Sequence, residues 1–212
     1  MAKLRTGAIV PVKTFSKAKT RLNLSSEKTE ILCETMLEQV LSTISRSALI
    51  EKTALVTKDE RAFAIGKRFG TVEILDEKEL GVNNAVSLAD HYYLTEGYDA
   101  TIVFPQDIPL IQQEDIQTLL AFQNAQRCAL VVPSRKFDGT NALFRTPVNL
   151  MNTHYDEDSY KIHLSTAENC SASSSLVLIQ RIMLDVDELG DLHFILKHAN
   201  SSFSKTIENL MG

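Results

Sequence analysis

Glycine is scarce in this chain, and the glycines present form no phosphate-binding motif. The 8 glycines among 212 residues include neither G-x-G-x-x-G nor G-x-x-x-x-G-K-[ST]. Those loops hold phosphate on backbone N–H groups in dinucleotide-binding and P-loop proteins, so the simplest interpretations of both kinds are excluded. Any phosphate that this protein binds must instead be held by ammonium and guanidinium groups.

Metal-binding patterns of cysteine and histidine are also missing. The 3 cysteines include no C-x-x-C pair, and the 5 histidines form no H-E-x-x-H motif. Neither a zinc site nor a disulfide framework is therefore indicated. We expect surface or packing roles for the histidines, which are His91, His154, His163, His193 and His198.

Long apolar runs and an overall positive charge are absent as well. No run approaches the roughly 20 apolar residues that span a bilayer, and Ala8–Val10 is too short for a signal-peptide core. We therefore expect a cytoplasmic protein without a membrane partner. With 22 Lys and Arg against 27 Asp and Glu, the formal net charge is -5, which indicates no nucleic-acid partner.

The positive charges that do occur are concentrated at the start of the chain. Residues 1–26 contain 6 basic residues and no acidic residue. This basic, acid-poor segment would also suit a transit peptide, but Gly7–Val12 is typical of a strand that belongs to the fold. We interpret the segment as a local cationic site on an acidic body.

Short β-branched runs alternate with longer helical patterns, as in β-α-β folds with a largely parallel sheet. Strands are predicted over Thr6–Val12, Thr53–Thr57, Thr71–Leu75, Ala100–Phe104, Ala129–Val132, Ala142–Arg145, Leu176–Ile182 and Met183–Val186. Helices are predicted over Ser25–Ser47, Glu60–Phe69, Asn84–Leu94, Glu114–Asn124, from Ser159 onward, and over Leu189–His198. Ser171–Ser175 is expected to be a loop. Without a repeat or linker, residues 1–212 are expected to form a single domain.

Three predicted strands end in proline and are followed by a charged residue. The pairs are Pro11 with Lys13, Pro105 with Asp107, and Pro133 with Arg135. In open α/β sheets, ligands bind beyond the carboxyl ends of the strands. Two cations and an acid at one sheet edge suit a phosphorylated ligand with a metal, although solvated loop charges would give the same pattern.

Four motifs then occur in order along the chain. They are Pro11-Val12-Lys13 with Lys19-Thr20-Arg21-Leu22, Pro105-Gln106-Asp107-Ile108-Pro109-Leu110, Gly139-Thr140-Asn141-Ala142-Leu143, and Leu184-Asp185-Val186-Asp187 with Asp191-Leu192. Together they resemble the 2-phospho-L-lactate guanylyltransferase family, within the wider group of sugar-nucleotide and molybdenum-cofactor nucleotidyltransferases. That wider group usually has a glycine before Thr-Arg, where this chain has Lys19.

The resemblance implies a Rossmann-like three-layer nucleotidyltransferase fold with a mostly parallel mixed sheet. It also implies that GTP reacts with 2-phospho-L-lactate to give lactyl-2-diphospho-5′-guanosine and pyrophosphate, a step in coenzyme F-420 biosynthesis. Mg²⁺ is the implied cofactor, and GTP with a small phosphorylated carboxylic acid are the implied ligands. The family tends to dimerise, which allows a homodimer here.

The resemblance also assigns residues to this reaction. The charges that would stabilise the transition state are Lys13, Lys19 and Arg21, with Lys17 as a helper. The nucleotide would contact Pro11, Val12, Lys13, Asn83, Asn84 and Asp107. The acceptor would contact Gly139, Thr140, Asn141, Asp156 and Ser159. The metal would be held by Asp107 and by Asp185 or Asp187, which flank Val186 at strand spacing.

Each assignment has a structural alternative. Asp107 could form a turn, Asp187 could cap a helix, and Asn83 and Asn84 could cap the helix that follows them. The segment 139–141 could be an ordinary turn. Asp156 and Asp158 replace glycines that the family leads us to expect. The three acidic residues at 156–158 would repel a phosphorylated acceptor unless they face solvent or bind metal.

Three other functions stay open from the sequence. Phosphoenolpyruvate could replace phospholactate, because both carry a carboxylate beside a phosphate. Transfer of a nucleotide to molybdopterin fits the fold but not the first loop. A non-catalytic GTP-sensing module would keep the fold without needing a second metal ligand.

Overall fold

Seven strands form one sheet in the computed structural model, which describes residues 4–156, 158–198 and 201–211. The strands are β1 (Thr6–Pro11), β2 (Lys52–Thr57), β3 (Val72–Leu75), β4 (Ala100–Val103), β5 (Cys128–Pro133), β6 (Thr140–Thr146) and β7 (Ser173–Leu176). Their order across the sheet is β3-β2-β1-β4-β6-β5-β7.

Helices cover both faces of this sheet. They are α1 (Ser26–Ser45), α2 (Glu60–Arg68), α3 (Val82–Thr95), α4 (Gln113–Ala121), α5 (Ser159–Cys170), α6 (Gln180–Met183), α7 (Leu189–Leu196) and α8 (Ser201–Met211). Alternate residues of β1 enter separate cores, with Ala8 and Val10 packed in one and Ile9 in the other. The layers therefore confirm the predicted three-layer α/β architecture. Within the described ranges, no helix has both the length and the apolar character needed to cross a membrane.

The sheet is parallel except at β6, which runs antiparallel to both β4 and β5. This confirms the predicted mixed, mostly parallel sheet. Because β6 is reversed, it begins at the edge where β1 and β4 end. Val132 pairs with Ala142 and Pro133 with Thr140, so β6 bulges at Asn141. Bulges often redirect side chains next to active sites, and this one lies at the edge that carries the candidate residues.

A close contact joins β1 to α3 and fixes the start of the first loop. A Cβ on Gly7 would lie 2.2 Å from the Tyr93 ring, so only glycine allows this packing. The Tyr93 hydroxyl lies 2.6 Å from the carbonyl oxygen of Ala8 and 3.0 Å from that of Lys52. The β1 backbone is thereby held in register beneath the loop that follows it.

The predicted elements after residue 170 are partly wrong. Strand β7 covers most of the serine-rich segment predicted to be a loop and ends at Leu176, the first residue of the predicted strand Leu176–Ile182. The rest of that strand and the predicted strand Met183–Val186 do not form. Instead, α6 covers Gln180–Met183. The unpaired edge of β5 supplies the backbone hydrogen bonds for β7, so pairing overrides the weak strand propensity of serine.

Candidate active site

The candidate site lies where β1 and β4 end and β6 begins. The loop after β1, the turn after β4 and the segment after α6 meet there around an open cleft of about 280 Å³. The cleft is lined by Lys13, Lys17, Ala18, Lys19, Arg21, Gln106, Asp107 and Asp187. All three predicted catalytic cations and two of the three predicted metal ligands are therefore brought together.

Buried apolar residues shape the loop after β1, residues 12–22, which we call the basic loop. Phe15 and Leu22 are buried in the core, whereas Lys13 and Arg21 between and around them are exposed. Pro11 is half-buried at the end of β1, and the Val12 N–H already donates to the Val56 carbonyl oxygen at 2.9 Å. The loop therefore presents cations to the cleft, and the Val12 N–H is not free to bind phosphate.

Two acidic side chains from neighbouring loops hold the basic loop in place. The Thr14 N–H donates to Glu79 Oε1 at 2.7 Å, and the Phe15 N–H donates to Asp59 Oδ2 at 2.9 Å. Glu79 Oε2 also lies 3.1 Å from the Lys17 ammonium and 2.9 Å from that of Lys58. Lys17 is thus already paired, while Lys13 and Arg21 have no such partner in the part of the chain that the structure describes.

Lys19 lies at the centre of the site. Its φ of 51° is in the left-handed region, which favours glycine, the residue expected here from the resemblance to the wider group. Its side chain is only 10% exposed. The ammonium forms an ion pair with the Asp107 carboxylate and lies 2.9 Å from Asp187 Oδ1. One cation therefore joins two of the three carboxylates predicted to bind metal.

The charges in this cluster stabilise one another. Burial opposes the charged form of Lys19, but the carboxylates of Asp107 and Asp187 raise its pKa above the ordinary value. Burial likewise disfavours the charged form of Asp187, yet the Lys19 ammonium lowers the pKa of that carboxyl. The space between the carboxylates of Asp107 and Asp187 therefore favours binding of a cation.

Asp185 occupies a different environment from Asp187. Its Oδ1 accepts a hydrogen bond from Asn141 Nδ2 at 3.1 Å, and no ion pair joins it to a described cation. Burial, and then the negative charge of Asp107, raise the pKa of Asp185. Asp185 and Asp187 are the two predicted alternatives for the second metal ligand. Only Asp187 contacts the same ammonium group as Asp107.

Asp107 and Asp187 fit a magnesium ion whose other ligands come from substrate and water. Among the described residues, no group of three or more His, Cys, Asp or Glu side chains forms a metal site. Mg²⁺, however, typically takes one or two protein carboxylates and completes its octahedron with phosphate oxygens and water. Asp107 and Asp187, which already hold a cation between them, supply that set of oxygen donors.

The predicted acceptor residues Thr140 and Ser159 form a buried hydroxyl pair. Ser159 is the first residue of α5, and its Oγ lies 3.1 Å from Thr140 Oγ1 at the start of β6. The Nδ1 atom of His163, one helical turn further along α5, lies 3.0 Å from the same Thr140 oxygen. The structure therefore brings the start of β6 next to the start of α5, 19 residues later in the sequence.

The remaining acceptor residues have other contacts. The Gly139 N–H donates to Ser134 Oγ at 3.1 Å, so it is used within the β5–β6 turn. Asn141 Nδ2 donates to the Ile182 carbonyl oxygen at 3.0 Å as well as to Asp185. Asn141 thus connects β6 to the carboxylate segment instead of presenting a free amide.

The acidic segment before α5 faces outward where it is described. Asp156 is exposed, and Asp158 forms a surface ion pair of 3.1 Å with Lys161. Glu157 lies outside the described residues. Both described acids are therefore exposed to solvent.

Asn83 and Asn84 do not cap α3, because the helix begins at Val82 after Gly81. Asn83 Oδ1 accepts from the Tyr155 N–H at 2.8 Å, and Asn84 Nδ2 donates to Asp76 Oδ1 at 3.0 Å. Their alternative role as caps is therefore wrong. A contact with the nucleobase stays a prediction.

The sequence did not single out Glu79, Gln106 or His163. Gln106 lines the cleft, is 7% exposed, and its Oε1 has no hydrogen-bond partner among the described residues. Conversely, Arg135, which follows a strand-ending proline, pairs with Asp191 at 2.7 Å and does not line the cleft. The only sequence signal that could have indicated a role for Gln106 in the site is its position next to Asp107.

Solved structures with low sequence identity share this fold. A nucleotide-diphospho-sugar transferase from Desulfovibrio desulfuricans G20 is 18% identical, with a TM-score of 0.73 over 97% of this chain and 93% of that one. A cytidylyltransferase from Leptospira borgpetersenii serovar Hardjo-bovis is 15% identical, with a TM-score of 0.60 over 98% and 92%. The fold is that of the nucleotidyltransferases.

The family follows from sequence. Residues 6–211 match the family described as "Guanylyl transferase CofC like", and the chain belongs to this family of nucleotidyltransferase enzymes. A phosphoenolpyruvate guanylyltransferase from Conexibacter woesei is 30% identical over 89% of this chain and 86% of its own length. A 2-phospho-L-lactate guanylyltransferase from Methanothermobacter thermautotrophicus is 29% identical over 95% and 89%. A 3-phospho-D-glycerate guanylyltransferase from Colwellia psychrerythraea is 28% identical over 91% of each chain. The predicted family resemblance is confirmed.

Proposed function

We propose that the protein joins GTP and 2-phospho-L-lactate to give lactyl-2-diphospho-5′-guanosine and pyrophosphate, a step in coenzyme F-420 biosynthesis. The observation that carries the proposal is the Lys19 ammonium held between Asp107 and Asp187 inside a basic cleft. This arrangement suits a metal-bound triphosphate. Membership of the guanylyl transferase family supports GTP, and the name of the Methanothermobacter relative supports the acceptor.

The reaction is the displacement of one anion by another. A phosphate oxygen of the acceptor attacks the α-phosphorus of GTP, and a new phosphorus–oxygen bond forms. The bond from that phosphorus to the bridging oxygen breaks, and pyrophosphate leaves with the electron pair. Because both reactants are anionic, the protein must hold them in line and neutralise their charge.

Lys13, Lys19 and Arg21 are proposed to hold the triphosphate and to stabilise the charge that develops on pyrophosphate. Lys13 and Arg21 are exposed on the cleft wall, ready for a ligand. Lys19 would exchange a carboxylate for a phosphate oxygen when the nucleotide binds. Lys17 would have a smaller role, because Glu79 already holds it.

Asp107 and Asp187 are proposed to hold Mg²⁺, with Asp185 as their neighbour. When bound, the ion would neutralise charge on the triphosphate and so ease attack on the α-phosphorus. The two carboxylates would fix the position of the nucleotide relative to β4 and β6. The chain is proposed to act as one domain, since its described strands form one sheet.

Thr140 and Ser159 are proposed to bind the acceptor, and Asn83 and Asn84 to lie near the base. The hydroxyl pair is at the same sheet edge as Asp107, because β6 begins where β4 ends. Hydroxyl donors suit either the carboxylate or the phosphate of the acceptor. The exposed Asp156 would contribute only its backbone.

Phosphoenolpyruvate is the second candidate acceptor. The Conexibacter relative carries that name, and the molecule has the same adjacent carboxylate and phosphate as phospholactate. Pyrophosphate release with Mg²⁺ should be measured for ATP, CTP, GTP and UTP, each with 2-phospho-L-lactate, phosphoenolpyruvate or 3-phospho-D-glycerate. We expect release with GTP and 2-phospho-L-lactate. Release only with another acceptor would replace the proposed substrate, and release with no pair would overturn the proposed reaction.

A further inference from the structure

His163 is a buried histidine in contact with Thr140, one of the proposed acceptor residues. It lies on α5, four residues after Ser159, and its side chain has no exposed surface. A fully buried imidazole must satisfy both ring nitrogens with hydrogen bonds. The contacts of His163 do so, and they also fix which nitrogen carries the proton.

The backbone determines the tautomer of His163. The N–H of His154 donates to His163 Nε2 at 2.8 Å, so this nitrogen accepts and carries no proton. In a neutral imidazole the proton must then be on Nδ1, which lies 3.0 Å from Thr140 Oγ1 and donates to it. Burial, with smaller effects of the charges on Arg145 and His154, lowers the pKa of His163 to about 3. The ring therefore stays neutral near neutral pH.

This tautomer controls the direction of the hydrogen bonds made by the Thr140–Ser159 pair. Thr140 Oγ1 accepts from His163 Nδ1 and from Ser159 Oγ, which lies 3.1 Å away. Both lone pairs of Thr140 are then used, and its own hydroxyl proton is left to donate. If Nδ1 lacked a proton, Thr140 would donate to His163, and the pair could donate outward only by breaking its mutual bond.

We infer that His163 is a positioning residue that makes the Thr140–Ser159 pair a hydrogen-bond donor toward an anionic group of the acceptor substrate. The inference rests on the proposed function, because it takes Thr140 as an acceptor contact. It adds a residue that does not touch substrate and acts through Thr140. An anion needs donors, so a pair presenting lone pairs would repel it.

A double-mutant cycle tests this coupling. His163→Phe keeps the bulk and removes the donor, and we expect the KM for the acceptor to rise about tenfold, as for loss of one well-oriented hydrogen bond to an anion. The KM for GTP should stay unchanged. In a Thr140→Val background, His163→Phe should raise the acceptor KM little further, because the Thr140 hydroxyl through which His163 acts is absent. His163→Asn, whose amide can donate near the Nδ1 position, should restore part of the loss.

Matched measurements separate this role from general damage. His91→Phe alters an exposed histidine on α3 and should leave both KM values unchanged. An equal rise in acceptor KM with and without Thr140, or a parallel rise in the KM for GTP, would overturn the inference.

The tautomer can also be measured without any substrate. Nitrogen-15 NMR of the full chain should show protonated Nδ1 and unprotonated Nε2 for His163, assigned by its absence in His163→Phe. The opposite tautomer would overturn the inference. The expected tautomer together with no turnover on any acceptor would instead count against the proposed function.

Discussion

The Lys19 ammonium lies 2.9 Å from Asp187 Oδ1 while also forming an ion pair with Asp107. Residues separated by 168 positions in sequence are therefore joined at one point of the cleft. The Lys19 ammonium supplies the positive charge that compensates these two carboxylates. The proposed metal would therefore compete with Lys19 for the same carboxylates.

Removing the Lys19 charge should expose that competition. Lys19→Met should lower turnover by about 10²-fold or more, because one cation that stabilises the leaving group is lost. The same variant should bind Mn²⁺ more tightly than the unaltered protein when nucleotide is absent, since the ammonium no longer neutralises Asp107 and Asp187. Electron paramagnetic resonance of free Mn²⁺ would measure this binding. Lys67→Met, on the exposed surface of α2, is the control, and equal Mn²⁺ affinity in all three proteins would argue against competition.

Asp107 should be needed for turnover but not for folding. Asp107→Asn deletes a charge at nearly constant volume, and we expect turnover to fall by about 10²- to 10³-fold. Circular dichroism should be unchanged. Glu168→Gln, which alters an exposed acid on α5, should keep full activity. Normal turnover by Asp107→Asn would mean that the metal is held elsewhere.

Thr140 should affect the acceptor more than the nucleotide. Thr140→Ala removes the hydroxyl that accepts from His163 and Ser159, and we expect the KM for the acceptor to rise about tenfold. The KM for GTP should change by less than about twofold, because no hydrogen bond joins Thr140 to the described basic loop. Initial rates with each substrate varied in turn would measure both constants. An equal rise in both would remove Thr140 from the acceptor pocket.

Glu79 should contribute stability that depends on pH. Burial would raise its pKa, but hydrogen bonds from Thr14 and the ammonium groups of Lys58 and Lys17 lower it below the ordinary value of 4.5. A carboxyl whose pKa is lower in the folded state stabilises fully above the unfolded value and loses that contribution as pH falls. Glu79→Gln should therefore reduce the free energy of unfolding by about 1 to 3 kcal/mol near neutral pH.

Denaturant unfolding of both proteins between about pH 3 and pH 7 checks the sign of this effect. The difference between the unaltered protein and Glu79→Gln should shrink as the pH falls below 4.5. A difference that stays constant over this range would mean that the Glu79 charge does not hold the loop.

The sequence predicts the features that depend on residues close together in the chain, and it misses those that depend on contacts between distant residues. Strands β1 to β5 and helix α1 follow from local apolar patterns. Lys13 and Asp107 could be found because each comes two residues after a strand-ending proline, and Lys19 because it lies in a motif of the family. Strand β7 could not be predicted, since its serines pair only because β5 offers an open edge. The role of Glu79 was equally hidden, because its partner Thr14 is 65 residues away and no local pattern marks the contact.

Guanylyl transfer is tested most directly by phosphorus-31 NMR of the protein with Mg²⁺, GTP and 2-phospho-L-lactate. We expect GTP and the acceptor to disappear together, while an unsymmetrical diphosphate and pyrophosphate appear in equal amounts. The same spectrum without acceptor should show GTP unchanged. Pyrophosphate or phosphate without a new diphosphate, or no consumption of GTP with any tested acceptor, would contradict guanylyl transfer as the reaction of this site.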